Sequence, residues 1–163
     1  MSEGAIVHVI GTGTIGEPLT GLLCDLKGPL GIEEVTFHKR TPLLTDRSKV
    51  RRVMQRGAKL VVDDDRAKGF QDLGMEPSYR QEDAIKRAAV VIDCTPSGVG
   101  ISNKNEFYSK YTHNTAGFIA QGSEFGFGKP YARGINDTTL KRGEDQFIQV
   151  VSCNTHNLSI LID

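Results

Sequence analysis

The chain has 163 residues, 38% of them hydrophobic and 25% charged, which is the composition of one ordinary globular domain with its own core. Its formal net charge is zero, so it lacks the basic excess that binding to nucleic acid or to an anionic membrane requires. No apolar run approaches the roughly 18 residues of a membrane span, and Met1–Gly4 lacks the basic start of a signal peptide. We therefore expect a cytoplasmic protein that binds neither nucleic acid nor a membrane.

The first predicted element is a buried strand over the apolar run Ala5–Ile10, which leads directly into Gly11-Thr12-Gly13-Thr14-Ile15-Gly16. Leucines at helical spacing follow, and they predict a helix that stops at Gly28-Pro29. Strand, G-x-G-x-x-G and helix form the dinucleotide-binding fingerprint, in which the glycines permit a tight turn, close approach of the pyrophosphate, and helix–strand packing. A purely structural turn is the alternative. The residues expected to bind the nucleotide are Gly11, Gly13, Thr14, Ile15 and Gly16.

The second predicted strand, Glu34–His38, ends at a basic turn that contains Lys39 and Arg40. An NAD-binding sheet usually places a carboxylate near this point, where it binds the 2′-hydroxyl of the ribose. No acidic residue stands there, and two cations can instead pair with the 2′-phosphate of NADP. NADP should therefore be accepted at least as well as NAD, unless the turn is merely solvated.

The next predicted elements are a basic helix, capped by Thr45 or Asp46 and ending at Arg56, and a short strand over Leu60–Val62. The acidic run Asp63–Asp65 that follows has no histidine or spaced acid to complete a metal site. We interpret it as capping and solvation, and we expect no metal.

Weak helices are predicted before Gly74 and over 82–88, ahead of the strongest strand signal, Val90–Cys94. Its apolar character is typical of a central parallel strand. Ligands bind at the carboxyl ends of such strands, so the turn over 95–100 should lie beside the glycine loop. A helix over 103–111 and a strand over 115–120 follow, and 124–145 is predicted to be an irregular surface excursion.

The last predicted strand, Phe147–Val151, leads to Cys153 at the start of a helix. Unpaired backbone amides at that end of a helix favour a thiolate over a thiol. Cys153 is therefore a candidate nucleophile, with a small core residue as the alternative. With Cys24 and Cys94 the chain has an odd number of cysteines and no C-x-x-C spacing, so neither a disulfide framework nor a zinc site is expected.

Five segments occur in the order and spacing of the archaeal-type (type II) glyceraldehyde-3-phosphate dehydrogenases: G-T-G-T-I-G, H-K-R-T-P, V-V-I-D-C-T-P-S-G-V-G-I-S-N-K, Q-G-S-E and V-V-S-C-N-T. The chain resembles that family from Ile6 to Leu158. The resemblance implies an α/β fold: a Rossmann-type, doubly wound, mostly parallel sheet with helices on both faces. It also implies a cofactor domain over 1–152, and over 153–163 the start of a cysteine helix leading into a catalytic domain absent from this chain.

By the same resemblance, Cys153 attacks a phosphorylated aldehyde, hydride passes to NADP or NAD, and phosphate releases an acyl phosphate. Lys39 matches a lysine near the 2′-phosphate. Thr95, Pro96 and Gly98 line the nicotinamide side, and the substrate-binding residues are Ser152, Asn154, Thr155 and His156.

Two residues depart from the family pattern: His156 replaces a second threonine, and Ser123 replaces a second glycine. His156 shares a helical face with Cys153 and could pair with its thiol, or be a solvated or phosphate-binding residue. The resemblance implies that the catalytic histidine lies beyond residue 163. We expect the isolated chain to bind nucleotide with little or no turnover, and the full-length protein to be a homo-oligomer.

Two other functions remain open from the sequence. One is a semialdehyde dehydrogenase or acyl-phosphate reductase on the same scaffold, which also uses a cysteine at this position. The other is a non-enzymatic nucleotide-binding or redox-sensing module.

Overall fold

The computed structural model describes residues 4–122 and 124–162, so Met1, Ser2, Glu3, Ser123 and Asp163 lie outside the described residues. Eight strands form one parallel sheet in the order β4-β3-β2-β1-β5-β6-β8-β7. The strands are β1 Ala5–Ile10, β2 Ile32–His38, β3 Lys59–Val62, β4 Tyr79–Arg80, β5 Val90–Asp93, β6 Gly117–Ala120, β7 Lys129–Tyr131 and β8 Phe147–Val150. The helices are α1 Gly16–Asp25, α2 Lys27–Leu30, α3 Arg47–Gln55, α4 Ala67–Asp72, α5 Gln81–Arg87, α6 Val99–Glu106 and α7 Cys153–Ile162.

The sheet is doubly wound, as predicted, because the strand order reverses direction at β1. Neighbouring residues of β1 point to opposite faces. Val9 packs in a core cluster with α1, α3 and α4, whereas Ile10 packs in a second cluster with α5 and the segment that follows α6. Apolar strand residues therefore meet helices on both faces.

The switch in strand order places three strand ends side by side. Ile10 is level with His38 of β2 on one side and with Asp93 of β5 on the other. Ligands of doubly wound sheets bind at such a switch, outside the carboxyl ends of the strands. This edge therefore locates the candidate site.

Two helix boundaries differ from the predictions. Gly28-Pro29 does not stop the first helix: α1 already ends at Asp25, and the pair lies within the short α2, which ends at Gly31 with φ 65°. Pro29 is tolerated there because the first turn of a helix needs no amide donor at that position. α6 begins at Val99 rather than near 103, directly after Gly98, whose φ of 85° allows the sharp entry into the helix.

The excursion over 124–145 is more ordered than predicted. Lys129–Tyr131 forms the edge strand β7, which pairs with β8, and a 3-10 turn spans Asp137–Thr139. Pro130 is compatible with this position because an edge strand leaves one side of its backbone unpaired. Within 4–122 and 124–162, no helix has the length and apolar character needed to cross a membrane.

Candidate functional site

A cleft of about 1070 Å³ opens at the carboxyl ends of β1, β2 and β5. The glycine loop, the basic turn after β2 and the turn after β5 all line it, as the sequence predicts. The predicted cofactor residues found there are Gly11, Gly13, Thr14, Ile15, Lys39, Arg40, Thr95, Pro96 and Gly98. Gly16 does not line the cleft and is buried behind it.

The three glycines of the fingerprint differ in their surroundings. Gly11 has φ +92°, and a Cβ there would lie 2.9 Å from the Cys94 carbonyl oxygen. A Cβ at Gly16 would lie 1.8 Å from the Gly11 carbonyl oxygen, so this position packs α1 against the loop. Gly13 has no atom within 4 Å of such a Cβ and borders open space. Of the three fingerprint glycines, only Gly13 borders empty space, and this leaves room for the pyrophosphate of a dinucleotide beside the backbone.

Asp93, buried at the end of β5, organises the turn that faces the glycine loop. One carboxylate oxygen accepts hydrogen bonds from the Thr95 amide, at 2.9 Å, and from the Thr95 hydroxyl. The other accepts bonds from Asn103 Nδ2, at 2.9 Å, and from the Tyr108 hydroxyl. Burial and the neighbouring carboxylate raise the pKa of Tyr108, so the phenol stays a donor. The network ties the turn and α6 to the sheet.

Glu124 holds the end of the same turn, at the point where α6 begins. Its side chain is fully buried, and its two oxygens accept hydrogen bonds from the Gly98 amide, at 2.7 Å, and from the Ile101 amide, at 3.0 Å. A carboxylate at the amino end of a helix satisfies amides that have no partner within the helix. The glutamate thereby fixes the start of α6 beside the cleft.

The basic turn after β2 is not simply solvated. Lys39 Nζ lies 2.6 Å from Asp46 Oδ2. Asp46 therefore does not cap α3 as predicted, and no side-chain cap is present at that helix start. The Arg40 side chain is exposed at the mouth of the cleft.

The three carboxylates of the acidic run after β3 have three separate partners. Asp63 Oδ1 lies 3.1 Å from His38 Nε2 at the edge of the cleft, and this bond lowers the pKa of the Asp63 carboxyl. Asp64 pairs with Arg80 and Asp65 with Arg66. No group of three or more His, Cys, Asp and Glu side chains able to hold a metal ion occurs within the described ranges.

The three cysteines have different environments. Cys24 and Cys94 are buried, and burial raises the pKa of both thiols. For Cys94 the neighbouring Asp93 adds to this effect, and the pKa rises to about 12. Cys153 is exposed at the first residue of α7, where it was predicted. Only this cysteine combines access with a helix amino end.

The predicted substrate residues share the first turn of α7 with Cys153. Ser152 Oγ accepts a hydrogen bond from the Thr155 amide at 3.2 Å and lies 2.9 Å from the Thr155 hydroxyl, so it caps the helix. Asn154 Oδ1 lies 4.0 Å from Cys153 Sγ. His156 Nε2 donates to the Arg133 carbonyl oxygen at 2.9 Å, so its ring is bonded to the 132–137 segment and not to the thiol.

Cys153 does not line the cleft, but the short segment of Gln121 and Gly122 contacts both the cleft and the loop that precedes Cys153. Gln121 lines the cleft and donates from Nε2 to the Thr95 carbonyl oxygen at 3.2 Å. The next residue, Gly122, packs so closely on the cysteine loop that a Cβ would lie 2.6 Å from Ser152 Cα. The ends of β6 and β8 therefore bring the cleft wall and the thiol helix together.

Sequence reasoning missed Asp46, Asp93 and Glu124 as site residues. Asp93 had a visible signal, because a carboxylate at the end of an apolar central strand needs donors to be buried. Glu124 and Asp46 act on partners that the strand and helix patterns do not specify.

Known proteins similar to this chain belong to the family that its motifs resemble. No protein-family model matches the chain. It is 29% identical over 153 residues to glyceraldehyde-3-phosphate dehydrogenase of Pyrobaculum arsenaticum, covering 94% of the chain and 42% of that protein. It is 29% identical over 157 residues to the enzyme of Methanobacterium bryantii, covering 93% and 42%. With that of Halobacterium salinarum it shares 33% identity over 99 residues, which is 61% of the chain and 28% of that protein.

The chain thus spans less than half the length of these relatives. This sequence similarity does not favour the two other functions that the motifs left open, a semialdehyde dehydrogenase or acyl-phosphate reductase and a non-enzymatic nucleotide-binding or redox-sensing module. Together with the Rossmann-type sheet, it implies a nicotinamide dinucleotide as cofactor. The resemblance predicted from the motifs is confirmed: the chain is similar over 93 to 94% of its length to archaeal glyceraldehyde-3-phosphate dehydrogenases, and the match spans 42% of each of those proteins.

Proposed function

We propose that the chain is the cofactor-binding part of a phosphorylating aldehyde dehydrogenase that acts on glyceraldehyde 3-phosphate or a close analogue. One observation carries the proposal: the glycine loop, the basic turn and the Thr95–Gly98 turn converge on one cleft, and Gly122 joins that cleft to the Cys153 helix. The relatives bear the name of this activity. Residues 1–152 would bind the cofactor, and the helix from Cys153 onward would form the junction with a catalytic domain.

In this proposal the cofactor occupies the cleft along the carboxyl ends of β1, β2 and β5. Gly13 leaves room for the pyrophosphate, and Lys39 and Arg40 face the adenosine ribose, where they favour NADP at least as much as NAD. Thr95, Pro96 and Gly98 hold the nicotinamide end. The bound nicotinamide would supply the hydride acceptor.

The chemistry of this chain centres on the Cys153 thiol. Its sulfur attacks the aldehyde carbon to form a thiohemiacetal, and loss of hydride leaves a thioester on the same sulfur. Phosphate then attacks the thioester, which releases the thiol and an acyl phosphate. The backbone amides at the start of α7 have no acceptor within the helix and are available to the developing oxyanion.

The other residues around the thiol position the substrate in this scheme. Asn154 and Thr155 lie in the first turn of α7, and Ser152 holds that turn in its helical form. His156 Nε2 donates to the Arg133 carbonyl oxygen, so only its Nδ1 can accept a proton. We assign the proton of the hydroxyl group to a histidine of the catalytic domain, as the family resemblance implies. This agrees with the expectation that the chain alone turns over little or no substrate.

The test uses the rate at which iodoacetamide alkylates each cysteine, read by mass spectrometry. Cys153 should react at least about tenfold faster than Cys24 or Cys94, because it is exposed and they are buried with raised pKa values. Glyceraldehyde 3-phosphate should slow this reaction more than aspartate semialdehyde does. The Cys153→Ser variant identifies the fast site.

Two results would refute the proposal. One is a Cys153 that reacts no faster than the buried thiols. The other is stronger protection by the semialdehyde, which would favour the reductase reaction on the same scaffold.

A further inference from the structure

The contacts of the basic turn point to a residue that controls coenzyme choice. We propose that Asp46 lowers the affinity for NADP relative to NAD by holding the ammonium group of Lys39 away from the 2′-phosphate. This inference rests on the proposed function, because it requires a nicotinamide dinucleotide in the cleft. It concerns the choice between two cofactors, whereas the proposed function requires only that one of them binds.

Lys39 occupies the position from which the adenosine ribose is recognised. It directly follows β2, whose last residue, His38, is level with Ile10 at the start of the glycine loop. A residue at this strand end contacts the 2′-position of the ribose in dinucleotide-binding sheets. The charge presented there therefore decides whether a hydroxyl or a phosphate is preferred.

The carboxylate of Asp46 offsets much of the positive charge of Lys39. The Lys39 ammonium and the Asp46 carboxylate are 2.6 Å apart, with side chains only 17% and 25% exposed. Ion pairs that are partly buried are screened less by salt than fully exposed ones. The carboxylate makes no capping bond to α3, so its contact with Lys39 is not a by-product of helix capping.

A small pocket beside the cleft shows what else faces this ion pair. It lies between α1, β2 and α3, and Lys39 and Thr12 line both the pocket and the cleft. Its other charged residues are Glu17 and Lys49. Asp46 is thus adjacent to the ribose end of the cleft, and Glu17 is a second carboxylate in the same pocket.

The two cofactors respond differently to this arrangement. A phosphate monoester carries about −1.5 to −2 charges at neutral pH, whereas NAD has an uncharged hydroxyl at the same carbon. NADP must either displace Asp46 from Lys39 or place its phosphate close to a carboxylate. Either event disfavours NADP alone, since a hydroxyl can donate a hydrogen bond to a carboxylate.

The experiment measures dissociation constants of the 163-residue chain for NADPH and NADH from their nicotinamide fluorescence. Asp46→Asn should shift the ratio of the two constants toward NADPH by about five- to tenfold, mainly through tighter NADPH binding. Glu17→Gln is the matched control, because it removes one negative charge from the same pocket but no partner of Lys39. It should shift the ratio less than about twofold. Circular dichroism checks that each variant is folded.

A double-mutant cycle with Lys39→Gln tests whether Lys39 carries the effect. In the Lys39→Gln background the Asp46→Asn shift should fall below about twofold, because no ammonium remains to be released. An unchanged ratio in Asp46→Asn, an equal shift in Glu17→Gln, or a full shift without Lys39 would each overturn the inference while leaving the proposed function intact. Failure of every folded variant to bind either nucleotide would overturn both.

Discussion

The cofactor cleft and the Cys153 helix are built in opposite ways. The cleft rests on strands β1 and β5, and its walls are fixed by the buried carboxylates of Asp93 and Glu124. Helix α7 has no buried residue, and Leu161 and Ile162 are each 82% exposed. The cleft is therefore formed by contacts among the described residues, whereas the thiol helix is attached mainly by its first turn and by His156.

This difference predicts where substitutions act. Changes at buried positions that support the cleft should alter the stability of the whole fold, whereas a change at a cleft position that borders open space should alter nucleotide binding alone. Changes in α7 should alter the local behaviour of the thiol and leave the fold intact.

The largest effect is expected at Gly16. Gly16→Ala places a Cβ 1.8 Å from the Gly11 carbonyl oxygen, so the loop or α1 must shift, at a cost of about 3 kcal/mol in the free energy of unfolding. Gly13→Ala is the matched variant, because its Cβ meets no atom within 4 Å. It should leave the denaturation midpoint unchanged yet weaken nucleotide binding at least about tenfold. Equal stability losses in both variants would show that the glycines do not have separate roles.

The next largest effect is expected at Asp93. Asp93→Asn replaces one acceptor oxygen of a fully bonded buried carboxylate by a donor, which should cost about 2 to 3 kcal/mol in the free energy of unfolding. Tyr108→Phe removes a single donor from the network and should cost about 1 kcal/mol. Urea denaturation measures both. A loss in Asp93→Asn no greater than in Tyr108→Phe would mean that the network does not hold the turn.

Acid should weaken the fold through His8 of β1. Burial, followed by the nearby His38, lowers the pKa of His8 from 6.5 to about 3, so the folded state releases a proton that the unfolded state keeps. Stability is therefore lost as pH falls below 6.5, by about 2 kcal/mol between pH 7 and pH 5.

The control for His8 uses an exposed histidine. His8→Gln should flatten the pH dependence of the free energy of unfolding in that window, whereas His113→Gln should preserve it because His113 is exposed. Chemical denaturation at a series of pH values compares the two variants. The same slope in wild type and His8→Gln would exclude His8 as the cause.

The smallest effect is expected at Ser152. Ser152→Ala removes the acceptor that caps the Thr155 amide, which should destabilise the first turn of α7 by about 1 kcal/mol. Hydrogen exchange of the Thr155 amide should then accelerate about fivefold, while amides of β5 keep their exchange rates. Faster exchange throughout the sheet would contradict the local character of this helix.

The sequence predicted best those parts of the fold that depend on local pattern. Apolar runs specified β1 and β5, and the glycine spacing specified the loop between β1 and α1, because these features follow from backbone conformation and burial. Cys153 at a helix start was predictable for the same reason.

The missed features depend on contacts that the local sequence pattern does not specify. Glu124 bonds to Gly98, 26 residues earlier, from a segment without periodicity. Asp46 appeared to be a helix cap because capping requires only a local pattern, whereas its real partner is a lysine across a turn. β7 was missed because it is short and contains Pro130, which argues against a strand except at a sheet edge.

The most direct test of the account is an NMR titration of the isotopically labelled chain with NADP and, separately, with NAD. We predict saturable shifts of backbone amide signals in the glycine loop, the Lys39–Arg40 turn and the Thr95–Gly98 turn, with little change beyond the first turn of α7. Signals of a folded chain that stay unchanged with both nucleotides, or that shift mainly along α7, would contradict the assignment of the cleft as the cofactor site.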